Sequence, residues 1–196
     1  LVAALLTIIG TVWILRDVWY DPRHSLVLLI FGLSMLAVYI ASSVMHLFNG
    51  PTQTIHRLRR YDHAAIYLAI AGSYTPFIYY LLDGNGQILA FSLVWSLALF
   101  GCASKLLFFW AGHVSTVMYL LLGWIGVLFA PAALAVASPD ALRLIVGGGL
   151  TYTIGAVIYA LKRPNLHPHF GHHEIWHLFV MGGTAFHFAA ITLYVA

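Results

Sequence analysis

The chain has 196 residues, 62% of them hydrophobic and only 8% charged, with a mean hydropathy of +0.91. Those values exclude an ordinary soluble domain and indicate an integral membrane protein. A net charge of +3 spread thinly over loops argues against a nucleic-acid partner, and the single cysteine, Cys102, excludes a disulfide framework.

Polar, Gly and Pro clusters cut the chain into seven segments, each about the 20 residues that a helix needs to cross a bilayer. The first covers residues 1–15 and stops at Arg16, Asp17 and the Asp21-Pro22-Arg23 turn. Because Leu1 already lies in an apolar run, the native start is expected to be missing; a cleaved signal peptide is not expected, since more spans follow directly. The second, 25–48, closes on Asn49-Gly50-Pro51. The third, 62–82, follows a basic loop with Arg57, Arg59 and Arg60, and Asp62 is placed to cap it. Asp83-Gly84-Asn85-Gly86 reads as a tight turn before the fourth segment, 87–110. The fifth, 114–137, contains Pro131, which should kink it. Ser138-Pro139-Asp140 reads as a cap with Pro in the first turn, opening the sixth segment, 138–161. The seventh runs from about 171 to 196. The expected fold is all-α: one seven-helix transmembrane domain over residues 1–196, with no internal repeat.

Loop charge orients that bundle. The loops after segments two, four and six hold Arg57, Arg59, Arg60, Lys105, Lys162 and Arg163, while the alternate loops hold Arg16, Arg23 and Arg143. The positive-inside rule makes the first set cytoplasmic, with the N-terminus inside and the C-terminus outside. The end of segment two and the starts of segments three and seven then share the cytoplasmic level.

At that level the stretch from His167 to His187, HPHFGHHEIWHLFVMGGTAFH, holds a histidine pair, His173 and His177. Four residues apart on a helix, they lie within about 40° of each other and can converge on one ion. The same topology brings His46 and Asp62 opposite them. Three imidazoles and one open position suit zinc carrying a water, with a carboxylate nearby to take its proton. Plainer roles stand beside these: interfacial solvation for the pair, a backbone hydrogen bond for His46, a helix cap for Asp62. Ser42 lies one turn before His46 on the same face, either in the site or bonded to its own helix. His187, about 15 Å deeper than His177 by helix rise, either lines a cavity or packs. His167, His169 and His172 read as solvated loop residues, and His63 and His113 as interfacial. Trp13, Trp19, Tyr20, Trp110 and Trp124 read mainly as belt anchors, and Gly72-Ser73 and Gly147-Gly148-Gly149 as helix-packing steps.

Three stretches, SSVMH ending at His46, YDHAAIYLAIAGSYTPF from Tyr61, and HHEIWH from His172 with a later histidine, together resemble the hemolysin III and progestin/adipoQ receptor family. The resemblance implies a seven-helix membrane protein with a zinc ion near the cytoplasmic face. Its ligands would be His46, His173 and His177, with Asp62 holding the water and Ser42 nearby. A relationship of that family to alkaline ceramidases implies hydrolysis of a lipid amide. The chain departs from the family pattern in lacking an acidic, His-containing segment before the first helix.

The function expected is therefore a cell-membrane zinc hydrolase acting on a lipid amide or ester, with Asp62 as proton acceptor. The bilayer and a lipid substrate are the expected partners; the oligomeric state is not legible. Two alternatives stand. His173-Glu174-Ile175-Trp176-His177 matches H-E-x-x-H, in which Glu is the general base of a metalloprotease. Alternatively, a structural zinc ties helices together in a receptor, sensor or lytic pore, although three ligands and an open position favour catalysis. The final segment has no Lys for a retinal Schiff base.

Overall fold

A computed structural model describes residues 1–108, 112–168 and 170–195. Trp110 and His169 lie outside the described residues, as does the side chain of His113. The described residues form helices joined by short loops: α1 Val2–Leu15, α2 Pro22–Leu47, α3 Thr52–Leu81, α4 Gly84–Leu107, α5 Gly112–Trp124, a 3-10 turn Ile125–Phe129, α6 Ala130–Val136, α7 Pro139–Leu161 and α8 His172–Tyr194. Among the described residues the only pairing of extended backbone is an isolated bridge between His167 and Phe170. Six helical stretches are long and apolar enough to cross a membrane, with α5, the 3-10 turn and α6 forming one of them; α1, at 14 residues, is shorter.

The packing is organised by α3. One face, with Ala65, Ala69 and Phe77, meets Leu28, Phe31 and Met35 of α2 and Ile191 of α8. The other, with Tyr67, Ala71 and Ile78, meets Ala90, Val94 and Ala98 of α4. Small residues set the closest approaches. A Cβ built on Gly72 would lie 1.8 Å from Ser34 Oγ and 2.5 Å from Ser34 Cβ, so α2 and α3 touch there almost backbone to side chain. Gly148 of α7 accommodates the His187 ring of α8 in the same way, 2.5 Å from a built Cβ. These contacts match the packing role expected of both glycine steps.

Three boundaries differ from the sequence reading. α2 starts at Pro22, not 25, because Asp21, read as part of a turn, caps the helix by accepting from the Arg23 and His24 amides. α3 starts at Thr52, ten residues before the expected 62, and runs through the basic stretch. The charges of Arg57, Arg59 and Arg60 end the apolar run but not the helix: Arg is a good helix former, and after Pro51 no Gly or Pro interrupts the stretch. Asp62 is therefore interior to α3 and caps nothing. The expected Asp83–Gly86 turn is shorter, because α4 begins at Gly84, whose φ of +53° suits glycine. Gln87 then ties the corner, its side-chain amide donating to the Tyr79 and Leu82 carbonyls at 2.9 and 2.8 Å.

The remaining signals act as read. Ser138 accepts from the Ala141 amide at 3.1 Å and opens α7 ahead of Pro139. The fifth span breaks at the 3-10 turn just before Pro131, which sits in the first turn of α6 and lacks the donor that would continue α5. Tyr74 of α3 splices the break, donating to the Gly123 carbonyl and accepting from the Gly126 amide.

Candidate metal centre

Gly171 precedes α8, and the Glu174 carboxylate accepts the Gly171 N–H at 2.8 Å, closing the first turn. Asn165 secures the approach, accepting from the His172 backbone N–H at 3.1 Å and lying 2.8 Å from His172 Nδ1. His172 is thus a helix-start residue rather than a loop residue. His173 and His177 follow on the inward face of α8, and His46 meets them from the last turn of α2. His173 Nε2 lies 3.1 Å from His46 Nε2 and 3.1 Å from His177 Nε2. The three rings stand 4.7 to 5.3 Å apart, none of them coplanar with another.

That arrangement fits a metal ion on two grounds. Each Nε2 has one in-plane site, either a lone pair or an N–H, yet His173 Nε2 faces two equal neighbours. No assignment of protons gives both contacts good geometry, whereas a cation at the centre would engage all three lone pairs. Four ligands placed tetrahedrally around zinc at about 2.0 to 2.1 Å would hold neighbouring nitrogens about 3.3 Å apart, close to the spacing here. The group could hold a metal ion; its chemistry, neutral imidazole without thiolate, is compatible with zinc among other first-row metals.

A cavity of about 80 Å³ opens beside the triad, lined by Ser42, Asp62, His173 and His177. His46 is exposed at the rim. The structure thus brings Ser42 and Asp62 to one wall with two of the histidines. His63, expected at the interface, is half-buried and lines the same cavity, and its carbonyl accepts from Tyr119 at 2.9 Å. His187 does not reach it: it is buried between Phe77 and Tyr152, with ring centroids at 5.6 and 5.5 Å. His167 pairs its backbone with Phe170.

Sequence reasoning missed the hydroxyl groups. Tyr39, Ser115, Thr116, Tyr119 and Tyr159 also line the cavity. Below it, Thr184 Oγ1 lies 2.7 Å from Tyr39 OH and 2.8 Å from Tyr152 OH, and donates to the Val180 carbonyl at 3.0 Å. With its one proton on Val180, Thr184 accepts from both tyrosines. The available signal was rotational: Tyr39, Ser42 and His46 follow an i, i+3, i+7 pattern, and His173, His177, Thr184 and His187 fall within about 40° of one line on α8.

A family model described as haemolysin-III related matches residues 1–188. The chain belongs to the haemolysin-III related family. It is 37% identical to the hemolysin-3 homolog of Bacillus subtilis (strain 168) over 167 residues, 84% of this chain and 75% of that protein. It is 32% identical to hemolysin-3 of Bacillus cereus, covering 85% of this chain and 74% of the relative. A more distant likeness, 29% identity, reaches the human monocyte to macrophage differentiation factor, over 85% of this chain and 69% of that protein. As a haemolysin-III related chain with six apolar spanning helices, it is a multi-pass membrane protein, and its environment is a lipid bilayer.

Proposed function

We propose that this haemolysin-III related protein is a zinc-dependent hydrolase of the cell membrane that cleaves a lipid amide or ester. His46, His173 and His177 are the ligands. The observation that carries the reading is the convergence of their three Nε2 atoms beside a cavity walled by Asp62 and Ser42. In the same reading α1 is the first of seven spans of a single domain, the N-terminus is cytoplasmic, and the centre lies near the cytoplasmic face.

Zinc held by three imidazoles would polarise a carbonyl oxygen and lower the pKa of a water in its open position to about 7. Asp62 takes a proton in the cavity and passes it to the leaving group; among the described residues that line the cavity it is the only one with an acid side chain. Ser42 offers a hydroxyl on the same wall to orient the attacking water. Apolar side chains such as Val38, Ile66 and Val180 limit bulk water at the reacting atoms.

The geometry weighs against a protease base at Glu174, whose carboxylate is engaged with the Gly171 N–H. One observation favours a second reading, a structural metal in a sensor or lytic pore: the cavity beside the triad is small, about 80 Å³.

Elemental analysis of detergent-purified protein tests the centre first. About one zinc per chain, lost in His46→Ala, His173→Ala and His177→Ala, is the expected result, and metal-free protein even after zinc addition would remove the reading. A hydrolysis screen with long-chain amides and esters then separates the alternatives. Asp62→Asn should keep the metal and lose turnover, while Glu174→Gln should keep both. A protein that holds zinc, unfolds without it and turns over no lipid would be the structural case.

A further inference from the structure

We propose that the overhanging start of α3, with the end of α7, is a docking surface for lipids with anionic headgroups beside the mouth of the histidine cavity. The inference is independent of whether the centre hydrolyses anything. At 30 residues α3 is about 45 Å long, against about 30 Å of hydrocarbon, so about ten residues stand beyond the apolar layer. That overhang is two-sided. Ile55 and Leu58 are half-buried against the bundle, whereas His56, Arg57, Arg59 and Arg60 are exposed. Lys162 and Arg163, also exposed, follow the end of α7 at the same end of the molecule.

Charge is divided unequally between the two ends. The end where α2, α4 and α7 stop carries six of the nine basic residues, five of them exposed and Lys105 buried, and its only acidic residues are Asp62, on the cavity wall, and Glu174, engaged by Gly171. The opposite end has three basic residues against Asp17, Asp21, Asp83 and Asp140. The net surplus of formal charge therefore sits entirely at the end that holds the histidine cavity.

Exposed apolar side chains share this end of the molecule with the guanidiniums. Leu47 and Phe48 at the end of α2, and Leu107 and Phe108 at the end of α4, are exposed at this level. Basic groups above apolar side chains match a phosphate above acyl chains; free phosphate would leave the apolar half unused. Arginine suits the task because its planar fork can bind two phosphate oxygens at once. Arg59 is three residues before Asp62, about 4.5 Å along the helix, so a headgroup held there stands one turn from the cavity wall.

Native mass spectrometry of the full chain, released from micelles with equal phosphatidylglycerol and phosphatidylcholine of identical acyl chains, tests this. The natural sequence should retain phosphatidylglycerol in clear preference, and Arg57→Gln/Arg59→Gln should cut that preference roughly tenfold. Arg16→Gln/Arg143→Gln at the opposite end should leave it unchanged, as should Arg57→Lys/Arg59→Lys in large part. Raising the volatile salt about tenfold should weaken the preference of the unaltered protein, which tests the charge dependence without any variant. Equal retention of the two lipids, indifference to salt, an unchanged preference in the glutamine variant, or displacement by millimolar inorganic phosphate would each overturn the proposal. Metal measured on the same samples separates this outcome from failure of the histidine centre.

Discussion

A histidine binds a metal only as neutral imidazole, so at the residue scale the triad ties metal content to pH. Binding should weaken as the pH falls, because protons and metal compete for the same Nε2 atoms. Metal affinity measured by equilibrium dialysis between pH 8 and pH 5 reads this; an affinity that does not fall with pH would mean other ligands. Thr184 gives a second test. Thr184→Val keeps the shape but leaves the Tyr39 and Tyr152 hydroxyls without their acceptor, and should cost about 1 kcal/mol in thermal unfolding. Tyr39→Phe should cost less, and in combination with Thr184→Val should add little. The triad was legible because three imidazoles in apolar sequence need a reason. Tyr39, Thr184 and Tyr152 were not, because a hydroxyl in a membrane helix equally well bonds to its own backbone or sits at an interface.

Among elements, the contact between α2 and α3 is the most demanding, since it positions His46 against α8 as well as Asp62. Gly72→Ala should force these helices apart, costing about 1 to 3 kcal/mol and weakening metal retention, because the obstructing Ser34 atoms sit next to the α2 backbone. Gly86→Ala, where nothing lies within 4 Å of the added carbon, is the control and should be neutral. Thermal unfolding of the two variants in one detergent decides it. Helix ends marked by Gly, Pro and caps could be read directly, as Ser138 illustrates. The start of α3 could not, because hydropathy reports where a helix leaves the hydrocarbon and not where its hydrogen bonds stop.

For the whole molecule, the proposed orientation predicts which loops face the cytoplasm. In a Cys102→Ser background, Asp83→Cys should react with a membrane-impermeant maleimide on intact cells, and Asn49→Cys should react only after lysis. The reverse pattern would invert the bundle and move the triad to the outer face. Composition alone makes the molecule a membrane protein, and six of the expected spans have the length and apolarity to cross; α1 does not reach that length as described. Thr184 also has a mechanical consequence. By holding Tyr39 of α2 and Tyr152 of α7 at one height on α8, it makes those three helices a single block that cannot slide by a residue without stranding hydroxyls in hydrocarbon. When the bilayer thickens or thins, the block must keep its length, so the mismatch falls on the jointed fifth span, whose halves meet at the 3-10 turn that Tyr74 holds.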